Sequence, residues 1–218
     1  MFTGDWLLDR ITFWIPLLLS LTVHEWAHAW SAYRLGDVTA ERQGRLTLNP
    51  LAHMDPIGML LLPLVLPFGW AKPVPINIGL FHPKVGSRVG VLLVAAAGPI
   101  SNLGIAMLSI LALTVMAFCF GDVGSMPGAV HSLLETCIWL NILLAVFNMI
   151  PIPPLDGSRI VDALMPDRFR RGWDAFCGLG PMTLMVLVVV LAASGGQVIM
   201  WSIETMQQAV DVLVQSVT

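Results

Sequence analysis

Charged residues are scarce in this chain. Of its 218 residues only 11% are charged and 56% are hydrophobic, whereas a soluble domain usually carries about 25% charged residues. The shortage excludes the ordinary soluble classes and predicts a membrane-embedded protein. The length fits a single domain over residues 1–218, with a core of about residues 11–160.

Cysteines and basic runs are also scarce. Cys119, Cys137 and Cys177 lie far apart and form no CxxC pair, which predicts free buried thiols rather than a disulfide or a thiolate metal site. The Lys and Arg residues form no basic run, so we expect no nucleic-acid partner. We also expect no cleaved signal peptide, because the first apolar segment carries the motif described below.

Long apolar runs predict an all-α polytopic membrane protein. A helix needs about 20 residues to cross a hydrocarbon core of about 30 Å. The sequence predicts about four transmembrane helices, at residues 11–34, 89–120, 131–150 and 178–194.

Four shorter segments complete the predicted fold. Residues 57–69 are apolar but too short to span, and prolines interrupt them, which predicts a re-entrant or interfacial segment. The alternating residues 45–48 predict a short β-strand near the active site, and residues 72–77, with two prolines, predict an extended segment. Residues 197–217 predict an amphipathic helix at the membrane interface.

The Lys and Arg positions predict the topology. They are concentrated in two stretches, residues 34–88 and residues 159–171, and are absent from the loop 121–130. The positive-inside rule therefore places residues 35–88 and 157–175 in the cytoplasm. We expect a multi-pass protein of a prokaryotic inner membrane, with its active site near the cytoplasmic side.

The motif His24-Glu25-Trp26-Ala27-His28 lies inside the first predicted span. HExxH on a helix places two imidazoles one turn apart on one face, where both can bind zinc, and the glutamate can then act as general base. Ionisable groups at bilayer depth cost roughly 2.5–3.5 kcal/mol each on the insertion scale. A chance occurrence of the motif is the alternative, but that cost favours a functional metal site.

Asp156 is the best candidate for a third ligand. Catalytic zinc usually takes three protein ligands, and Ser31 and Arg34 stand where the extended motif HExxHxxGxxH needs Gly and His. Asp156 follows a proline-broken stretch at the predicted cytoplasmic end of the third span, although Pro-Pro-Leu-Asp-Gly alone would fit an ordinary turn. The weaker alternatives are Asp55, Asp162 and Glu135, of which Glu135 falls on the wrong side by the predicted topology.

Three further polar residues are candidates for the site. Asn148 lies at a helix end and could donate to an oxyanion or orient the substrate. Asn102, in an apolar helix, either supports the site or holds helices together by hydrogen bonds. His53 lies at the mouth of the predicted re-entrant segment, where a solvated or capping histidine is the alternative.

The order of these motifs resembles the site-2 protease family of intramembrane zinc metalloproteases. The resemblance covers roughly residues 15–160 and rests on the HExxH motif, Ala97-Gly98-Pro99 through Asn102, and Asn148 through Gly157. It implies one zinc ion per chain on His24, His28 and Asp156, with Glu25 as the base and a three-helix core. No segment is long enough for the PDZ or CBS domain of many relatives, so we expect a minimal member.

The resemblance also implies the reaction. A transmembrane protein in the lipid bilayer would be cut within or near its helix, as in regulated intramembrane proteolysis, after unwinding locally. The unwound stretch could pair with residues 72–77 or 45–48 by strand addition. The alternatives are a membrane protease with a glutamate as third ligand, a metal transporter or metal-binding protein using His24, His28 and Asp156, and an idle protein that binds substrate helices.

Overall fold

The computed structural model describes residues 6–55, 71–121, 125–180 and 182–186, and residues 205, 208 and 212. The predicted re-entrant segment 57–69 lies outside the described residues. So do most of the predicted fourth span and all but three residues of the predicted helix 197–217. Within the described residues the structure is all-helical and contains no strand.

Seven helices and two 3₁₀ turns lie between residues 6 and 177, and residues 182–186 are also helical. The helices are α1 (Trp6–Arg34), α2 (Thr39–Arg42), α3 (Pro50–His53), α4 (Ser87–Phe120), α5 (Gly128–Asn148), α6 (Asp156–Leu164) and α7 (Arg170–Cys177). The 3₁₀ turns are Ile78–Leu80 and Asp167–Phe169.

Two helices in the described part of the chain, α4 and α5, are long and apolar enough to cross a membrane. Much of the apolar surface of α4 is uncovered, including Met107 and Phe118, which is 89% exposed, and lipid is the solvent that suits such a surface. The 29-residue α1 is continuous, but the ionisable residues of the HExxH motif interrupt its apolar sequence. That α1 crosses the membrane, and that there are four spans, therefore stay predictions.

Helices α1, α4 and α5 pack against one another in pairs, and α6 packs against α4. Small side chains allow the close approach: Ala29 and Ala32 on α1 are fully buried, and Val94 of α4 lies in the same cluster as Ala32. Close packing of this kind is typical of membrane helices, where small residues let backbones approach. It brings the C-terminal half of α1, which carries the HExxH motif, directly against α4.

The predicted strand at residues 45–48 is wrong, because these residues form a bend between α2 and α3. Hydrogen bonds from nearby side chains and backbone hold this bend in place of pairing with a neighbouring strand. Arg45 is buried and its guanidinium donates to the Ala52 carbonyl, His53 Nε2 donates to the Thr47 carbonyl at 2.8 Å, and the Asn49 amide donates to Thr47 Oγ1. Side-chain hydrogen bonds of this kind compete with a sheet ladder.

Residues 71–77 form an irregular segment, called the Pro segment below, that has neither helix nor turn. Three of its backbone amides are bound by other parts of the molecule. Lys72 N donates to the His53 carbonyl at 2.9 Å, Val74 N to Glu25 Oε2 at 3.1 Å, and Asn77 N to Asp37 Oδ2 at 2.6 Å. The segment is therefore tied to α1 at the HExxH motif and beyond its C-terminal end.

Candidate metal centre

Three side chains converge between α1 and α6. His24 Nε2 and His28 Nε2 lie 3.1 Å apart, and Asp156 Oδ2 lies 3.1 Å from the first and 3.2 Å from the second. All three side chains are buried. Among the described His, Cys, Asp and Glu residues, these three form the group able to hold a metal ion.

The outer nitrogens of both imidazoles face oxygens that can only accept a hydrogen bond. His24 Nδ1 lies 2.6 Å from Asn102 Oδ1, and His28 Nδ1 lies 2.7 Å from the Val94 carbonyl. Each Nδ1 must therefore carry the hydrogen and donate it, which leaves the lone pair of each neutral ring on Nε2. Both lone pairs point at the place where Asp156 Oδ2 lies.

The carboxylate of Asp156 completes a set of three acceptors. Asp156 Oδ2 is buried and has no hydrogen-bond partner. Three such atoms repel one another unless a cation lies between them.

A zinc ion fits this arrangement. Ligand atoms at about 2.0–2.1 Å from a tetrahedral zinc lie about 3.3 Å from one another, close to the 3.1 and 3.2 Å separations between the three side chains. Two imidazoles and one carboxylate are also a usual donor set for catalytic zinc.

Gly98 of α4 forms the wall of the centre. A Cβ atom on Gly98 would overlap His28 Nε2 and both Cε1 and Nε2 of His24. Only glycine therefore lets α4 pass so close to the three converging atoms. Six residues further along the same helix, Gly104 has open space where its Cβ would stand.

Asp156 is positioned by the turn that links α5 to α6. The carboxylate lies in the first turn of α6, where the helix dipole favours a negative charge. Ser158 closes this turn, since its Oγ donates to the Leu155 carbonyl at 2.7 Å. Gly157, between Asp156 and Ser158, lies against the Met149 and Ile150 carbonyls with no room for a Cβ.

Glu25 follows His24 on α1, and a backbone donor holds its carboxylate. Its Oε2 accepts the amide hydrogen of Val74 at 3.1 Å. A peptide amide steadies the carboxylate without neutralising its charge, so Glu25 can still accept a proton.

The other candidates occupy different places. Asn102 is fully buried and contacts His24. Asn148 donates to the Leu144 carbonyl of its own helix at 2.9 Å. His53 is fully buried at the C-terminal end of α3, and its carbonyl holds the start of the Pro segment. Of the alternative ligands, Asp162 pairs with Arg170, Glu135 pairs with His131, and Asp55 is not part of the group described above.

Asn141 was not among the candidate residues predicted from the sequence. This residue of α5 is fully buried, and its Oδ1 accepts from Asn102 Nδ2 at 2.8 Å. The signal that could have found it is the one that drew attention to Asn102, an amide inside an apolar predicted span.

A cavity of about 420 Å³ adjoins the centre. It is bounded by the Pro segment at Val74 and Ile76, by α4 at Val94, and by Pro153 and Pro154 of the turn before α6. Val74 supplies the amide that holds Glu25, and Val94 supplies the carbonyl that holds His28. The cavity is thus lined by two residues that hold the candidate site, although His24, His28 and Asp156 do not line it themselves.

Comparisons with known proteins agree on one family. Residues 124–192 match Peptidase family M50. Over 176 residues the chain is 41% identical to YwhC of Bacillus subtilis, which covers 80% of this chain and 78% of that protein. It is 33% identical over 178 residues to Rip2 of Mycobacterium tuberculosis and 27% identical over 167 residues to MJ0392 of Methanocaldococcus jannaschii.

The names of these relatives refer to zinc-dependent proteolysis. MJ0392 is named a zinc metalloprotease, and YwhC and Rip2 carry that name provisionally. The chain spans 62% of the length of Rip2 and 38% of MJ0392. No solved structure matches the chain.

Proposed function

Because the chain belongs to peptidase family M50, the site-2 protease family of membrane zinc metalloproteases, we propose that it cuts a peptide bond within or beside a transmembrane helix of another membrane protein, as in regulated intramembrane proteolysis. The observation that carries the proposal is the convergence of His24 Nε2, His28 Nε2 and Asp156 Oδ2 beside Glu25, in a bundle with two helices able to span a bilayer.

His24, His28 and Asp156 would hold the zinc ion. When bound there, zinc supplies Lewis-acid chemistry that acidifies water and polarises a peptide carbonyl. The fixed tautomers support this assignment, because both Nε2 lone pairs face the same point as the carboxylate. Gly98 supports it too, since its missing side chain leaves the space that a cation needs.

Glu25 would move the proton. Its carboxylate takes a proton from the attacking water and passes it to the amine that leaves. The Val74 amide holds one oxygen, Oε2, by a hydrogen bond of 3.1 Å. The other oxygen is then the one that faces water, so the amide sets the orientation of the base.

Asn148 would assist at the substrate carbonyl. Its Nδ2 is an uncharged donor at the end of α5, before the turn that leads to Asp156. At present this nitrogen donates to Leu144, an intrahelical hydrogen bond that a substrate oxygen could replace. Asn102 and His53 would act through other groups, Asn102 on His24 and His53 on the start of the Pro segment.

The Pro segment would align the unwound substrate. A helix hides its carbonyls in hydrogen bonds, so the cut stretch must be extended. Val74 uses its amide on Glu25, and Pro73 and Pro75 have no amide hydrogen. Pairing with the substrate would therefore use the carbonyls of Pro73 and Pro75 as acceptors, with apolar substrate side chains in the cavity.

The aromatic end of α1 supports an active site near the cytoplasmic surface. Trp26 stacks on Trp30 at 6.0 Å between ring centroids, and the Arg34 guanidinium lies 5.5 Å from the Trp30 ring. Trp and Arg concentrate where bilayer meets water. Trp30 follows Glu25 by about 8 Å at 1.5 Å per residue, which would put the base just inside the bilayer.

The test uses single-span membrane proteins, tagged at both ends, as substrates for the purified full chain in zinc-containing liposomes. We expect the wild type to cut a subset of them within or beside the span. Glu25→Gln should keep its zinc and lose cleavage, whereas Asp156→Ala should lose both. Cleavage by Glu25→Gln would contradict the proposal. Zinc transport across the liposome membrane, equal in the wild type and in Glu25→Gln, would also contradict it and would indicate a transporter.

A further inference from the structure

A row of hydrogen bonds crosses all three core helices and ends at His24. Asn141 Nδ2 on α5 donates to the Cys137 carbonyl and to Ser20 Oγ of α1, each at 2.8 Å. Asn102 Nδ2 on α4 donates to Asn141 Oδ1 at 2.8 Å, and Asn102 Oδ1 faces His24 Nδ1 at 2.6 Å. Asn102 and Asn141 are fully buried.

The orientation of each group in this row follows from the one before it. A peptide carbonyl only accepts hydrogen bonds, so Cys137 fixes which end of the Asn141 amide carries the nitrogen. Asn141 Oδ1 then faces Asn102 and requires a donor, which fixes the Asn102 amide. Asn102 thus presents its oxygen to His24, and only a protonated Nδ1 satisfies that oxygen.

We propose that Asn141 is a positioning residue of the metal centre, which acts through Asn102 to keep the hydrogen of His24 on Nδ1 and the lone pair on Nε2. This role of Asn141 rests on the proposed function, in which His24 is a zinc ligand. A reversed Asn102 amide would present Nδ2 to His24, Nδ1 would become the acceptor, and the hydrogen would move to Nε2. The ring would then present a hydrogen to the metal in place of its lone pair.

Thr136, another buried polar residue of α5, makes its hydrogen bond within its own helix. Thr136 is buried and donates to the Ser132 carbonyl of its own helix at 2.7 Å. That hydrogen bond ends within α5 and reaches no ligand. Thr136→Val therefore removes a buried hydrogen bond from the same helix without touching the row, and is the matched control for Asn141→Leu.

The experiment measures the zinc dissociation constant of the detergent-purified full chain by competition with a chelator. We expect Asn141→Leu to raise the constant about 10-fold, the lower end of the effect of losing a group that contacts a metal ligand directly, because Asn141 acts through Asn102. Thr136→Val should leave it unchanged. Ser20→Ala should have little effect, because the Cys137 carbonyl still orients Asn141. Equal effects of Asn141→Leu and Thr136→Val would overturn the proposal.

A second-site variant separates orientation from helix packing. Asn102→Asp presents an oxygen to His24 in either orientation, so adding Asn141→Leu to Asn102→Asp should no longer change the zinc dissociation constant. If Asn141→Leu weakens zinc binding equally in both backgrounds, Asn141 acts by packing alone and the inference fails.

The tautomer of His24 can be measured directly in the wild type, with one variant for signal assignment. In the zinc-free full chain, ¹⁵N NMR of labelled histidine should show His24 as the neutral Nδ1–H tautomer, with its signals assigned by their loss in His24→Gln. An Nε2–H tautomer would overturn the proposal. If His24→Gln keeps wild-type zinc affinity, the ligand assignment itself fails. If that variant loses zinc while Asn141→Leu keeps it, only the role of Asn141 fails.

Discussion

At the scale of single residues, the candidate site depends on the space left by a missing side chain as much as on the three converging side chains. The HExxH spacing is enough to bring two imidazoles to one face of α1, because residues four apart lie one turn apart on a helix. What keeps their Nε2 atoms accessible is the absence of a side chain at Gly98, across the interface on α4.

Gly98→Ala should abolish zinc binding without unfolding the protein. The added methyl group would overlap His24 and His28 at their Nε2 atoms, and neither ring can turn away without losing its Nδ1 hydrogen bond. Metal analysis of the purified variant checks this. Gly104→Ala on the same helix is the matched control and should bind zinc normally, since its Cβ meets nothing within 4 Å. A full complement of zinc in Gly98→Ala would show that the ion binds elsewhere.

The sequence predicts some of the site's residues more readily than others. Asp156 could be chosen from its broken-helix setting, but Asp55, Asp162 and Glu135 stayed open, because their separation from α1 depends on how the helices pack. Asn141 could not be ranked above any other amide in an apolar span, since its importance comes from a hydrogen bond to Asn102 on another helix.

At the scale of elements, long and short segments differ in how well their sequences predict them. α4 and α5 follow from composition, because only a helix satisfies its own backbone in lipid. The bend at residues 45–48 does not follow, since its alternating pattern imitates a strand, while the hydrogen bonds of Arg45 and His53 bind the backbone locally. Family membership, predicted from the motif order, is confirmed by the comparisons.

The Pro segment allows a test of how the base is held. Val74→Pro removes the amide that binds Glu25 Oε2, while neighbouring prolines already favour the same extended backbone. We expect cleavage of a tagged single-span substrate to fall at least tenfold with zinc content unchanged. Val74→Ala trims the same buried side chain but keeps the amide, and it should retain most activity. Equal loss in both variants would attribute the effect to packing, and the orienting role would be rejected.

At the scale of the whole molecule, the zinc ion should contribute to stability. Without a cation, two lone pairs and a carboxylate oxygen face one another in a buried site at 3.1–3.2 Å. A ligand that binds only the folded state stabilises it by about 2.7 kcal/mol at a hundredfold excess over its dissociation constant.

Chelation should therefore lower the midpoint of thermal unfolding in detergent, and added zinc should restore it. Asp156→Ala should unfold at the same temperature with and without chelator, because it lacks one of the three ligands. Thermal unfolding followed by tryptophan fluorescence checks both expectations. A chelator effect of the same size in Asp156→Ala would place the stabilising metal at a different site.

The wide separation of the three ligands along the chain has a consequence for biosynthesis. His24 and His28 emerge from the ribosome early, whereas Asp156 follows α4, α5 and the turn after them. On the proposed ligand set, a growing polypeptide can insert α4 and α5 into the lipid while Asp156 is still untranslated. We therefore expect the newborn protein to be inert among the unfolded helices at the insertion machinery, and to become able to cut only when α6 docks.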